Sequence, residues 1–209
     1  ASFIPGAISI LSYSERIYQF PLSIIGITLG TVLLPTLSKL YQKNLEEARQ
    51  TLSNAMKIGL FFSVPCSLGI IAIAFEFTEI IYQRGAFTHN DTLLTSSALK
   101  AFCLGLPAFT LNKLVINSFL ANNDTKTPLK ITSYSIFLNI VLNIILVIPF
   151  GYLGIALGSS LSSWYSLYIS VQYAKKFNLI SINRDIIFFS LKIIVAAIIM
   201  SMLIMLIKY

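Results

Sequence analysis

An all-α bundle of about six membrane-spanning helices is the fold class the sequence predicts, and three observations predict it. Hydrophobic residues make up 56% of the 209 positions and charged residues only 11%, against roughly 25% charged in soluble domains. The mean hydropathy is +0.81. The apolar residues fall in continuous runs rather than in the period-2 alternation of barrel strands, and a helix needs roughly 20 of them to cross the hydrocarbon core.

The elements follow in order. A first span is expected at about 8–34, stopped by Pro35, and a second at about 55–74, kinked at Pro65 with Gly69 a turn later. "FEFTEIIYQ", Phe75 to Gln83, is too polar to continue a span. It reads as a short interfacial helix with Tyr82 near the headgroups and no function implied. The third span, about 93–120, carries Lys100 and Lys113. The fourth (131–148) and fifth (153–174) are joined by the tight "PFGYLG" turn, and the sixth covers 186–207.

Connection charges orient the bundle. Lys39, Lys43, Arg49, Lys126, Lys130, Lys175, Lys176 and Arg184 follow spans one, three and five, whereas the opposite side holds Arg84 and Lys208. The positive-inside rule places the first set in the cytoplasm and both ends of the segment outside. The basic residues are scattered singly, without the stripe a nucleic-acid partner requires. Cys66 and Cys103 sit in apolar runs, so neither a disulfide nor a metal site is expected. His89 reads as a loop residue. No nucleophile–base pair, phosphate loop or zinc motif is present, and no catalytic residue is expected. The start at Ala1, without Met, basic region or cleavage site, reads as the interior of a longer protein.

The first helix carries the informative chemistry. Ser12, Arg16, Gln19, Ser23, Gly26 and Gly30 recur at steps of four and three, which places them on one face. A stripe of this kind turns toward water or another helix. An Arg at a helix centre costs roughly 2.5–3.5 kcal/mol to insert, and snorkelling relieves part of that. Glu15 is about 100° away from Arg16 and cannot simply neutralise it along the helix. Arg16 is therefore the candidate for an anionic ligand, because its planar fork matches phosphate or carboxylate. Glu15 and Gln19 tune or order it, and Ser12 and Ser23 share the cavity. Lys100 and Lys113 add positive potential, although Lys113 is near enough to the cytoplasmic end to snorkel.

A second polar cluster lies in "FLNIVLN", where Asn139 and Asn143 share a face at i and i+4. It reads either as hydrogen-bond glue between helices or as a cation site of amide oxygens, with Ser159 adding a hydroxyl. "GITLGTVLL" and "GIALGSSLS" echo each other and suggest two close-packing helices.

Three stretches carry a family resemblance. "SYSERIYQFPLSIIGITLGTVLLPTLSKL" resembles the helix that opens Y-A-D-R-L-Y-Q-x-P and ends A-L-G-T-V-L-L-P-x-L-S in the MurJ/MviN lipid II flippases. "QRGAFTHNDTLLT" and "NNDTKTPLKI" are similar to that family's "RGAF" and "GDTRTPV" loops. The resemblance implies the second lobe of a two-lobe exporter in the multidrug/oligosaccharidyl-lipid/polysaccharide superfamily, with a cationic cavity between the lobes. Residues 1–176 would be second-lobe helices and 177–209 an additional C-terminal helix, the first lobe lying outside this chain. It further implies a bacterial inner-membrane protein that exports lipid II, an undecaprenyl-pyrophosphate-linked disaccharide peptide. The family's cavity arginine falls on Arg16 and its preceding acid on Glu15. Some members have Glu where Gln19 stands, which bears on proton coupling. Others bind sodium at positions matching Asn139, Asn143, the Ile155 carbonyl and Ser159, completed by an Asp from a helix outside this chain. A multidrug or polysaccharide-lipid exporter and a non-transporting membrane fragment are the rival readings.

Overall fold

A computed structural model describes residues 6–180 and 184–208, and those residues form eight α-helices. The order is α1 (Ala7–Lys43), α2 (Leu45–Ala72), α3 (Ala74–Tyr82), α4 (His89–Cys103), α5 (Leu106–Ala121), α6 (Lys126–Phe150), α7 (Tyr152–Lys176) and α8 (Arg184–Lys208). Among the described residues, α1, α2, α6 and α8 are each long and apolar enough to cross a membrane, and α4 with α5 passes as one span bent by 41°.

The fifth expected span, α7, has a span's length but falls short of that apolarity. The cause is its packing. Ser160, Ser162, Ser163, Ser166 and Ser170 are buried against neighbouring helices, so polar groups sit inside the bundle and only part of the helix needs to be lipid-compatible.

Two boundaries differ from expectation. Pro35 does not stop α1, which continues to Lys43. A proline removes one backbone donor and crowds the preceding turn, yet Leu33 and Leu37 on either side are buried in the core and hold the helix together. At about 1.5 Å per residue α1 is roughly 55 Å long, well beyond the membrane's hydrocarbon thickness.

The second difference is a break in the third span. Gly105 packs its backbone against Ser160 of α7, where an added Cβ would lie 2.9 Å from the Ser160 Cα, and Pro107 has no N–H to offer Cys103. The freed carbonyls find side chains instead: Ser160 Oγ donates to Ala101 O at 2.6 Å, Ser67 Oγ to Cys103 O, and Trp164 Nε1 to Leu104 O at 3.0 Å. Broken helices are tolerated at membrane depth only when such partners exist. Ser160→Ala leaves a buried carbonyl short of a donor and is expected to lower stability by about 1–3 kcal/mol, measurable as a fall in the apparent unfolding midpoint in detergent.

Local chemistry sets the remaining ends. Asn44 accepts from the backbone of Glu46 and Glu47 to start α2, and Thr88 with Asp91 forms a capping box that starts α4. His89 is thus the first residue of α4 rather than a loop residue. Asn123 and Asn178 adopt φ of 58° and 55°, the left-handed cap that Asn tolerates. Asp124 Oδ1 accepts from Lys126 N and Thr127 N at 3.0 Å each and so caps α6. Burial opposes ionisation of this carboxyl, but hydrogen bonds from Thr127 and Lys126 and the charge of Lys130 outweigh it and hold its pKa below the usual value. The cap is therefore at full strength above the ordinary carboxylate range and is lost as pH falls through the lowered pKa. Asp124→Ala should cost about 0.5–2 kcal/mol at neutral pH, and the difference from wild type should shrink in acid melts.

Packing runs from a lower core (Leu37, Leu52, Leu114, Phe119, Ala174, Leu179) to an upper one (Ile17, Tyr18, Leu99, Phe102, Ala156). The α1–α2, α5–α6 and α7–α8 connections meet at one end of the bundle. Tyr41 Oη donates to Leu179 O at 3.2 Å, Arg49 Nε donates to Asn178 O at 2.7 Å, and Phe119 and Phe177 meet edge to face. These are the connections that carry the basic excess; the side chains of Arg184 and Lys208 lie outside the described residues. The short helix expected at Phe75–Gln83 is α3, and Tyr82 with Phe87 packs on Tyr13 of α1 at the other end. α8 lies on α2 through Ile193 and Ala197 and leaves Leu191, Ile199 and Leu206 exposed, as a lipid-facing helix should. Cys66 and Cys103 are both free.

Candidate functional site

Arg16 stands about 14 Å along α1 from Ala7. Its side chain is exposed and makes no hydrogen bond or ion pair among the described residues. It lines a cavity of about 660 Å³ between α1, α2 and α3, whose other walls include Phe20, Ile24, Phe62, Cys66, Phe77 and Tyr82. The Arg16 guanidinium is the wall's single charged group among the described residues. Pro21, in the same wall, has no N–H for the Ile17 carbonyl. The arrangement suits an amphiphile with an anionic group at Arg16 and an apolar portion along the aromatic and aliphatic wall.

The predicted stripe on α1 divides into two parts. Ser12, Arg16, Gln19 and Ser23 are exposed, and the two serines make no hydrogen bond among the described residues. Gly26 and Gly30 are buried against α5, where added Cβ atoms would lie 3.2 Å from Lys113 Cδ and 2.9 Å from Asn117 Nδ2. Lys113 therefore lies across the middle of α1. Lys100 is exposed on α4.

Glu15 turns away from Arg16. Its Oε1 accepts from Gln19 Nε2 at 2.8 Å, so Gln19 orders Glu15 rather than the guanidinium. Glu15 lines a second cavity of about 330 Å³ with Leu11, Tyr18, Phe102, Phe109, Asn139, Ile155, Ser159 and Ser162. The two polar clusters that look separate along the chain thus meet in space, α1 supplying a carboxylate opposite the α6–α7 hairpin.

Within that hairpin Asn139 Nδ2 donates to Ser162 Oγ at 2.9 Å, and Asn143 Nδ2 donates to Asn139 Oδ1 at 2.9 Å. Ser159 Oγ donates to Ile155 O at 3.0 Å. Interhelical glue is therefore part of what these amides do. Asn143 Oδ1, however, is buried without a donor among the described residues, pressed against Gly158, and such orphans are uncommon. A hard monovalent cation fits this set, because amide, hydroxyl and carbonyl oxygens are the donors such ions prefer. Asn143 itself stands behind the cavity that Asn139, Ile155 and Ser159 line.

Sequence reading missed Asn112, Ser162, Ser166 and Ser170. Asn112 Nδ2 donates to Ser166 Oγ at 3.0 Å and Ser170 Oγ donates to Asn112 Oδ1 at 2.6 Å, which ties α5 to α7. The spacing 159, 162, 166, 170 was the available signal, one helical face of serines.

A bundle of long apolar helices, with a guanidinium unpaired among the described residues in one cavity and convergent oxygens in another, defines a polytopic membrane protein. A family model described as lipid II flippase MurJ matches residues 1–209. The chain belongs to that family. It is 48% identical to a probable lipid II flippase MurJ of Rickettsia prowazekii (strain Madrid E) over 210 residues, all of this chain and 41% of that protein. It is 35% identical to the Haemophilus influenzae protein of the same description, over 96% of this chain and 41% of the relative. A solved structure of lipid II flippase MurJ in an inward closed conformation superposes with a TM-score of 0.87 at 30% identity, covering 99% of this chain and 42% of that one. The chain thus spans about two fifths of the length of the relatives it matches.

Proposed function

We propose that this chain is the second lobe of a flippase that moves lipid II from the inner to the outer leaflet of the bacterial cytoplasmic membrane for cell-wall synthesis. The observation that carries this reading is the unpaired Arg16 in an otherwise uncharged, largely apolar cavity. A pyrophosphate between a polyprenyl tail and a sugar–peptide headgroup has the matching chemistry. An isolated ionised group faces a barrier on the order of tens of kcal/mol in hydrocarbon. A guanidinium fork replaces the lost hydration with two parallel charge-assisted hydrogen bonds, while the tail stays in lipid alongside the apolar wall.

In this reading the partner of Arg16's face is a first lobe of the same protein. Rocking of the two lobes exposes the cavity to one side at a time. The end that gathers the α1–α2, α5–α6 and α7–α8 connections is the cytoplasmic one, by its excess of Lys and Arg, and both ends of the segment are on the outer side. Asn139, Ile155 and Ser159, with Asn143 behind them, hold a sodium ion. Such an ion supplies coupling charge, since each charge crossing the potential is worth roughly 2.3 kcal/mol per 100 mV.

The test is depletion of the intact protein in its host, or in a bacterium whose own flippase has been shut off. Lipid II should accumulate and become inaccessible to an externally added enzyme that cuts its headgroup, with access restored by the complementing gene. Unchanged lipid II access together with lost efflux of a cationic dye overturns the reading in favour of a drug exporter.

A further inference from the structure

We propose that Glu15 is a direct ligand of the cation in the α1–α6–α7 cavity, the carboxylate that this chain itself brings to the site. The inference rests on the reading of Asn139, Ile155 and Ser159 as a sodium site, and extends it to a helix on the far side of the cavity. Three observations converge on it. Glu15 lines the same cavity of about 330 Å³ as Asn139, Ile155, Ser159 and Ser162. Its Oε1 is held by Gln19 Nε2 at 2.8 Å, which fixes the side chain's direction, while Oε2 has no hydrogen-bond donor among the described residues. Arg16, the nearest cation in sequence, lines a different cavity and does not pair with it.

Charge balance explains why the site needs this group. The hairpin contributes only neutral oxygens, and the rest of the wall is Leu11, Tyr18, Phe102 and Phe109. A monovalent ion entering such a place exchanges its hydration shell for dipoles in a weakly polar surround, and a carboxylate is the strongest compensation available.

The geometry links the two cavities through one turn of α1. Glu15 answers to the cation and Arg16, the next residue, answers to the anion. A bound cation neutralises Glu15 and leaves the Arg16 field uncompensated, so cation and anion should each raise the other's affinity by the same factor.

The experiment uses the purified intact protein in detergent, with thermal unfolding followed across a sodium chloride titration at constant ionic strength set by choline chloride. Wild type should be stabilised by sodium. Glu15→Gln, which keeps size and hydrogen bonding, should raise the half-saturating sodium concentration at least tenfold. Glu15→Asp, one methylene shorter, should raise it severalfold, and it serves as the deciding variant if the glutamine form does not fold. Asn139→Ala reports on the hairpin's own contribution. If Asn139→Ala loses the sodium response while both Glu15 variants keep the wild-type half-saturation, Glu15 is not a ligand and the hairpin site stands without it. If wild type itself shows no sodium-specific stabilisation, the cation site and the role of Glu15 fall together.

Discussion

Replacing Arg16 by alanine in the intact protein should abolish complementation of a flippase-depleted strain, and Arg16→Lys should recover only a minor part. The expectation follows from what the guanidinium has around it. No group among the described residues satisfies it, so its hydrogen-bonding capacity is available to a ligand, and the wall opposite is apolar. A hydrogen bond to a charged group is worth about 1.5–3 kcal/mol, which corresponds to about 10–150-fold in substrate affinity when it is lost. Lysine keeps the charge but not the planar fork, and binds phosphate as a point charge. Affinity for a short-chain pyrophosphate lipid, measured on purified protein, should fall in the same order as complementation. Normal growth and unchanged lipid binding in Arg16→Ala would remove Arg16 from the substrate site. Because the side chain is exposed in this lobe, loss of folding is not the expected cause of either effect.

The second large effect is expected at the α6–α7 hairpin. Gly154 and Gly158 are where the two helices touch: a Cβ at Gly154 would run into the Leu146 backbone carbonyl, and one at Gly158 into the Asn143 side chain. Backbone cannot yield without separating the helices, so Gly154→Ala should destabilise by overpacking, at about 1–3 kcal/mol. Gly158 differs because its obstacle is a side chain. Gly158→Ala alone should destabilise, while Asn143→Ala beside it removes the obstacle and should recover part of the loss. That makes the pair non-additive, as residues in contact usually are. Apparent unfolding midpoints of the four proteins in detergent decide it. Strict additivity would mean that the two helices do not approach as closely as described.

The glycine pairs were readable beforehand as close-packing signals, and both behave that way, but their partners were not readable. Gly26 and Gly30 admit α5, a helix some 85 residues further on, whereas Gly154 and Gly158 admit the adjacent α6. A glycine announces that something comes near and carries no information on what it is. The break between α4 and α5 is similar. Lys100 and Lys113 interrupt the apolar run, and Gly105 and Pro107 stand at the bend, yet the bend is stable only because Ser67, Ser160 and Trp164 from two other helices take up its carbonyls. The continuation of α1 through Pro35 follows the same logic, since burial of Leu33 and Leu37 outweighs a local propensity. For the candidate site, Arg16 was legible as a charge with no reason to be there. That Glu15 belongs with Asn139 and Ser159 was not, because adjacent helix residues diverge by about 100° and only packing decides which neighbour each one meets.

Composition and periodicity by themselves determined that this chain is a helical membrane bundle, that one end carries its basic excess, and that α1 bears an ionisable pair within an apolar run. These are properties of transfer free energy, and transfer free energy is summed residue by residue along the chain. Tertiary structure alone decided that the pair is split between two cavities, that the third span is bent and capped from outside itself, and that α7 turns its serines inward. Those outcomes depend on which helix faces carry the orphaned polar groups of their neighbours, and that pairing exists only once the helices have met.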